Sequence, residues 1–462
     1  MRLKDLKLYY LSLLNKSPQP PKWIGLGRDG LPKGPFRQIF LLKQRKALDA
    51  LMLYSGIILK ETTRAQRKKF IDAVTCEPQP IPPIRNLKRA TKEIIEMGNA
   101  KWRVYDYRSY PFCDVLQQEV VRALTGSSPR IGKMVPNSRN KSVPNTVDQL
   151  VDDFQTSVLW DALDDERCMY VIADACANMY PSLFRSCKGD EVECSTVGKV
   201  SCIQERGCKA RWIAMPRLIF QVASLSLGEY LQDVIAATPW DCTRNQDSGP
   251  EWAQAELRKG RKLFSVDLSS FTDMFPLELI LRVLRWTNAP DEYLHFFEWL
   301  STGTWHVPGH LRLGLTEIQW KRGQPLGCIA SFPAAALAHG ALLRSIEMTY
   351  NLNDTFRVLG DDVIISNPLT HWAYRNWLDK LGCPVSEPKT ITGEIGEFAG
   401  RVITRKRIML PSKVTIPTRD NLLFRLGQEL TLEEARTPLG LLAALMYEVP
   451  LRSDMPLQKR VM

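Results

Sequence analysis

Histidine is scarce in this 462-residue chain, with five copies, and its eleven cysteines form no repeated Cys-x-x-Cys pair. The cysteines at 187, 194, 202 and 208 are separated by long, irregular gaps, so the spacing of a zinc site is missing. An odd cysteine count without a framework fits a reducing compartment better than a disulfide-stapled secreted fold. Long apolar runs are missing too. The longest, near Leu439 to Met446, falls well short of the roughly 20 residues needed to span a bilayer. Met1 to Ser17 carries Asp5 among its basic and apolar residues and no small-residue cleavage site follows, which argues against a secretory signal.

What is present reads as a folded, basic protein. A hydrophobic fraction of 44% and a charged fraction of 24% lie near globular averages, and the length allows two or three subdomains. Sixty-two Lys and Arg against fifty Asp and Glu give a formal net charge of +12, which suits a polyanionic partner, nucleic acid first among them. Charge alone also fits a basic enzyme or a membrane-surface protein.

Along the chain, the Pro- and Gly-rich residues 18–36 predict an irregular connection, and Arg37 to Val74 a helical stretch broken near Gly56. Its basic face, Arg64, Arg67, Lys68 and Lys69, suits either RNA contact or plain solvation. Four prolines between Cys76 and Pro83 place a subdomain boundary there. Helix is expected over 87–97 and 148–184, with a basic loop between Ser127 and Asn145. Val197 to Ala214 alternates as strand. Lys209 and Arg211, two apart, then point to the same side and can jointly grip a triphosphate; the alternative is a salt-bridged surface strand.

The centre of the sequence is Arg357 to Ser366, where two apolar β-branched arms flank Gly360-Asp361-Asp362, the pattern of a β-hairpin whose two-residue turn carries the adjacent carboxylates. Two carboxylates about 4 Å apart repel by roughly 4 kcal/mol at an effective dielectric near 20, so such a pair calls for a cation. Upstream, Leu263 to Asp267 reads as a strand apolar on both faces that ends in a carboxylate, with Asp273 six positions on. Pairing that strand with the hairpin would converge three carboxylates, a donor set for two magnesium ions acting on an in-line phosphoryl displacement. Gly323-Gln-Pro-Leu-Gly327 then precedes a long Ala-rich helix whose first turn holds Ser331, and its glycines predict a flexible loop that approaches a ligand. Lys389 and Glu397-Phe-Ala-Gly-Arg401 close the series.

That order and spacing resemble the motif series of viral RNA-dependent RNA polymerases. Asp-Leu-Ser-Ser-Phe-Thr-Asp, Gly-Gln-Pro-Leu-Gly, Glu-Phe-Ala-Gly-Arg and the segment Trp240 to Gln246 are similar to those of the narnavirus, mitovirus and ourmia-like group, relatives of the RNA phage replicases. The resemblance covers about residues 195–405. It implies that Asp267 and Asp361 bind metal with Asp362 in support, and that Asp273 and Ser331 read the ribose and its 2′-hydroxyl. It further implies that Lys209 and Arg211, with Arg206, hold the triphosphate, that Gly323 and Gly327 shape the nucleotide site, that Lys389 is a general acid, and that Arg401 contacts RNA or closes the palm. One departure is Ala335, where many positive-strand polymerases carry Asn.

The implied fold is an α+β right-hand polymerase with an antiparallel palm sheet and mainly helical fingers and thumb. Its parts would be a helical N-terminal extension over 1–83, fingers over 84–260, palm over 261–410 and a small thumb over 411–462. The implied activity is RNA-directed RNA synthesis for a positive-strand viral genome, with Mg²⁺, or Mn²⁺ in its place, and with an RNA template and product and ribonucleoside triphosphates as partners. A capsidless complex with genomic RNA in the host cytoplasm, or alternatively the mitochondrion, is the family-level setting. A reverse transcriptase shares such a palm but usually carries an aromatic residue where Leu359 stands. A two-metal nuclease would need the carboxylates without the lysine and glycine series, and an inactive RNA-binding remnant would keep the fold alone.

Overall fold

Helices and sheets mix along the chain in the computed structural model, an α+β fold described over residues 2–52, 55, 59–106, 157–179, 195–205, 207–387 and 390–411. The N-terminal part is helical: α1 (Arg2–Leu14), α2 (Phe36–Phe40), α3 (Gln44–Leu51), α4 (Arg64–Val74) and α5 (Leu87–Gly98). Thr63 starts α4 with a capping box, its side chain accepting from the Gln66 amide at 3.2 Å while Gln66 Oε1 accepts from the Thr63 amide at 2.9 Å. The predicted break at Gly56 lies outside the described residues, as do the basic loop 127–145 and all of the expected thumb except Pro411. Where one helix was expected over 148–184, the described part holds two, α6 (Ser157–Asp164) and α7 (Met169–Met179). Asp165 Oδ1 accepts from the Arg167 amide at 2.9 Å in the turn between them, offering the backbone a local alternative to helix.

Among the described residues, the rest of the chain is organised on three sheets. The hairpin β1 (Gly198–Glu205) and β2 (Lys209–Pro216) leads to α8 (Leu218–Ala223), α9 (Leu225–Ala236) and α10 (Ser248–Arg258). Then follow β3 (Leu263–Asp267), α11 (Phe271–Met274), α12 (Leu277–Leu284), α13 (Asp291–Thr302), β4 (Trp305–His306), β5 (Glu317–Ile318) and α14 (Ser331–Thr349). The chain continues through β6 (Phe356–Leu359), β7 (Asp362–Ile365), α15 (Pro368–Lys380), β8 (Ile391–Gly393), β9 (Ile395–Phe398), β10 (Arg401–Thr404) and β11 (Ile408–Met409). Strand orders are β2-β1-β4-β5, β6-β7-β3-β8 and β11-β10-β9, and among these described strand pairs only β1–β4 is parallel.

The middle sheet is buried on both faces, and the two-residue period says how. Phe264, Val266, Val363 and Ile365 face the main core, while Leu263 and Ile364 face a smaller cluster with Phe398 and Ile403 of the β9–β10 hairpin. Helix α14 runs through the main core, packed by α5, α9, α12, α15 and β6. Its alanines let these neighbours approach, and at Gly340 the Trp240 indole occupies the space a methyl group would need. Residues 2–51 join the same body: Leu6, Tyr9, Leu11 and Leu48 share a cluster with Ile391, Ile395, Val402 and Met409.

Candidate active site

Register fixes the relation between the carboxylates. In the antiparallel β3–β7 ladder Asp267 stands opposite Asp362, as Ser265 stands opposite Ile364, so the two aspartates share the face that carries β9. The β6–β7 turn is Gly360-Asp361, because Leu359 pairs with Asp362. Gly360 has φ +63° and Asp361 does not enter positive φ, the pattern of a type II′ hairpin turn that glycine makes without strain. Asp361 is exposed and Asp267 and Asp362 half-buried, so none of the three residues at this end of the sheet is fully buried. Among the described residues no three His, Cys, Asp or Glu side chains are already gathered into an ion cage. The donor set, three carboxylates and no nitrogen or sulfur, is nonetheless the chemistry a hard cation such as Mg²⁺ selects.

Asp273 lies on the one-turn helix α11, where Trp320 Nε1 donates to its Oδ1 at 2.9 Å. Burial pushes its carboxyl up to about 6, against the opposing pull of that hydrogen bond and of the Lys69 ammonium. Trp320 is held by an aromatic layer: Phe70 of α4 stacks on Trp212 of β2 at 4.6 Å and meets Trp320 edge-on at 6.1 Å. Helix α4 thereby becomes a wall of the site, with Gln66 Nε2 donating to the Cys208 carbonyl at 2.9 Å and Lys69 Nζ to Ser269 Oγ at 2.9 Å.

The glycine loop differs from a flexible, ligand-approaching one. A methyl group at Gly323 would overlap the Thr272 carbonyl oxygen, and at Gly327, with φ +128°, the Ala214 carbonyl oxygen. The close approach these glycines permit is therefore to α11 and β2 of the chain itself. The loop is strapped in place: the Gln324 amide donates to Thr272 O at 2.9 Å, the Ala214 amide to Leu326 O at 2.7 Å, and Gln221 bonds both Gly327 O and the Ile329 amide. Ser331 opens α14 and is buried, its carbonyl accepting from Gln324 Nε2 at 2.6 Å, while the neighbouring Phe332 is exposed beside the Gly360 turn.

Lys209 and Arg211 are both exposed on β2, and Arg211 Nε donates to Glu205 Oε1 at 2.8 Å across the hairpin. Arg401 is half-buried at the start of β10, where Nη2 meets Asp247 Oδ1 at 2.5 Å and Nη1 donates to the Ala399 carbonyl at 3.2 Å. Arg206 and Lys389 lie outside the described residues. The Trp240 segment adds a short parallel bridge to β6, Val358 N donating to Trp240 O at 2.9 Å and Cys242 N to Val358 O at 3.0 Å. Sequence reading missed Trp320, Phe332, Tyr374 and His339. The last, a lone imidazole in the otherwise apolar stretch Phe332–Leu343, was the one with a signal.

The sequence profile of the mitovirus RNA-dependent RNA polymerase family matches residues 142–416, more than half of the chain. An RNA-directed RNA polymerase of Cryphonectria parasitica mitovirus 1 is 25% identical over 217 residues, covering 45% of this chain. The matched region is a quarter (25%) of that relative's own length. Two uncharacterized mitochondrial proteins of Arabidopsis thaliana are 29% and 28% identical over 185 and 162 residues, 36% and 33% of this chain and 69% and 76% of theirs. With the paired aspartates, the glycine loop and the helix that follows it all inside the matched region, the chain belongs to the mitovirus RNA-dependent RNA polymerase family.

Proposed function

We propose that the chain is an RNA-directed RNA polymerase that adds ribonucleoside monophosphates to the 3′-hydroxyl of a growing RNA and releases pyrophosphate, replicating a positive-strand viral genome. The observation that carries this is the Asp267–Asp362 register with Asp361 on the adjoining turn. In this reading the arrangement is a right hand: the β6-β7-β3-β8 sheet is the palm, and β1 and β2 with the helices around them are fingers. Asp267, Asp361 and Asp362 would hold Mg²⁺, or Mn²⁺ in its place. When bound, such ions supply positive charge at the triphosphate and the attacking hydroxyl.

The remaining roles belong to the chain's own groups. Lys209 and Arg211 orient the triphosphate, with Arg211 exchanging its Glu205 partner for phosphate and Arg206 assisting them. Asp273, anchored by Trp320, accepts from a ribose hydroxyl, and Ser331 supports that reading from the start of α14. Lys389 protonates the leaving pyrophosphate. Arg401 braces β10 against Asp247 beside the RNA path. Template and product RNA and ribonucleoside triphosphates are the partners, and the capsidless complex with genomic RNA belongs to this reading. Among the described residues no helix is long and apolar enough to cross a membrane. For the compartment, the names of the two plant relatives favour the mitochondrion over the cytoplasm.

The test is incorporation of labelled ribonucleotide and deoxyribonucleotide on an RNA template with Mg²⁺, beside an Asp361→Ala, Asp362→Ala protein. Ribonucleotide incorporation that the double variant loses is the expected result. Preference for deoxyribonucleotide would replace the reading with a reverse transcriptase. Tight RNA binding without incorporation would replace it with a polymerase remnant.

A further inference from the structure

His339 is one of five histidines in the chain and is fully buried, eight residues into α14 from Ser331. Its Nδ1 lies 3.0 Å from the Gly360 carbonyl oxygen and its Nε2 lies 2.6 Å from the Tyr374 hydroxyl on α15. A carbonyl oxygen can only accept, so Nδ1 carries the proton. Burial pushes the imidazole down to about 4, so near neutrality the ring has one proton and Nε2 is bare. Tyr374 O–H therefore donates to Nε2, and burial, which raises that phenol well above its ordinary value, keeps the proton in place. One tautomer satisfies both contacts: the Gly360 carbonyl sets it, and the Tyr374 hydroxyl, which can donate or accept, completes it by donating and holds the ring.

The Gly360 carbonyl belongs to the peptide unit that joins Gly360 to Asp361. Holding that oxygen fixes the peptide plane from which the Asp361 side chain departs, within a turn whose positive-φ glycine would otherwise be the most mobile link of the hairpin. The imidazole is itself held: Phe271 and Phe275, which flank Asp273 on either side in sequence, lie with ring centroids 5.1 and 5.6 Å from it, and the Tyr374 ring stacks at 5.7 Å. One buried ring thus touches the aspartate-bearing turn, the α11 segment and α15.

We propose that His339, protonated on Nδ1 and held in place by the Tyr374 hydroxyl, is a positioning residue that orients the Gly360–Asp361 peptide and with it the carboxylate of Asp361. This rests on the polymerase reading for what the carboxylate does, and its test reads the carboxylate without turnover. Mn²⁺ binding to the purified chain is titrated by electron paramagnetic resonance, with Asp361→Asn defining the site and thermal melting reporting the fold. His339→Leu keeps the volume, leaves Gly360 O without its donor, and is expected to weaken Asp361-dependent Mn²⁺ binding roughly tenfold, the usual scale for losing an outer partner of a metal site. His339→Asn, whose amide nitrogen can take the place of Nδ1–H, is expected to restore most of that affinity even where its melting temperature stays low. A role in packing alone would give the opposite order, with stability lost and affinity unchanged.

Wild-type affinity in folded His339→Leu overturns the proposal, as does absence of any Asp361-dependent Mn²⁺ binding in the unaltered chain. Should His339→Leu fail to fold, Tyr374→Phe removes one hydroxyl and keeps the ring. Weaker Mn²⁺ binding in it supports the proposal and unchanged binding overturns it. Mn²⁺ bound normally by a chain that incorporates no nucleotide would sink the polymerase reading and leave the positioning role standing.

Discussion

Lys69 Nζ donates to Ser269 Oγ at 2.9 Å, which joins a helix far upstream in sequence to the loop between Asp267 and Asp273. Its neighbour Lys68 is paired with Asp72 at 3.0 Å, and Arg211 is paired with Glu205, whereas the Lys69 contact is to a neutral hydroxyl. An exposed ammonium beside the site's aspartates, in contact with a neutral partner, has charge to offer a phosphate. Lys69→Ala is expected to raise the KM for nucleoside triphosphate roughly tenfold, about 1.4 kcal/mol, with kcat changed little. Lys68→Ala is expected to leave both constants alone. Equal KM values in the two variants would reduce α4 to scaffold.

The carboxyl of Asp273 makes a second prediction, with a defined sign. Its folded value of about 6 stands above the roughly 3.9 of an unfolded aspartate, so the folded state holds its proton more tightly. The cost of ionising it is absent below about pH 4 and complete above about pH 6. Asp273→Asn keeps an acceptor for Trp320 and removes the charge, so the variant should melt higher than the unaltered chain at pH 7.5, with the gap closing as pH falls from 6 to 4. Discrimination against deoxyribonucleotide should fall in the same variant. A melting difference independent of pH would show that the carboxyl is not paying for burial.

How far the site could be read from the residues depends on the range of the forces involved. The strand ending at Asp267 and the start of α14 at Ser331 are local patterns, set by alternation and helix periodicity, and each lies where the sequence puts it, whereas the hairpin turn, expected to carry both adjacent carboxylates, is Gly360-Asp361 with Asp362 already paired in β7. The glycine loop illustrates the opposite case. Gly323 and Gly327 announce a close approach, but what approaches is decided by tertiary packing, and Thr272 and Ala214 fill the space assigned to a ligand. His339 looked like part of an apolar helix because its partners, Gly360 and Tyr374, lie on other elements. The break between α6 and α7 was hidden by an apolar face that continues across it, while a single Asp165 side chain ends the helix.

Gly323 gives the third prediction. A methyl group there would strike backbone, the Thr272 and Asp273 carbonyl oxygens, which cannot swing aside as a flexible side chain can. Gly323→Ala should therefore cost about 1–3 kcal/mol of stability, as overpacking of a tight site does, and should displace α11 with its aspartate. Gly309 has nothing within 4 Å of an added methyl and no positive φ, so Gly309→Ala is the matched substitution expected to be near neutral. Urea denaturation of the two proteins separates them, and comparable midpoints would mean the loop yields more easily than its straps imply.

The N-terminal helix supplies the last prediction, because β9 is an edge strand and α1 covers it. Asn15, just past the end of α1, accepts from the Ile395 amide through Oδ1 at 2.8 Å and donates to the Ile395 carbonyl through Nδ2 at 3.1 Å. A side-chain amide thereby satisfies both backbone groups of one edge residue, as a neighbouring strand would. Lys7 adds a buried ammonium 2.5 Å from Glu397 on the same strand. Asn15→Ala would leave both Ile395 groups unpaired at a buried residue, a loss of about 1–3 kcal/mol. Because β9 packs on β3 and the Glu397 amide donates to Ser265 Oγ at 2.9 Å, loosening that edge should also reach the strand that carries Asp267. The expected result is a lower urea midpoint with nucleotide incorporation that fails at a lower temperature than in the unaltered chain. A full midpoint in Asn15→Ala would mean that water replaces the amide without loss, and that residues 2–51 ride on the sheet without supporting it.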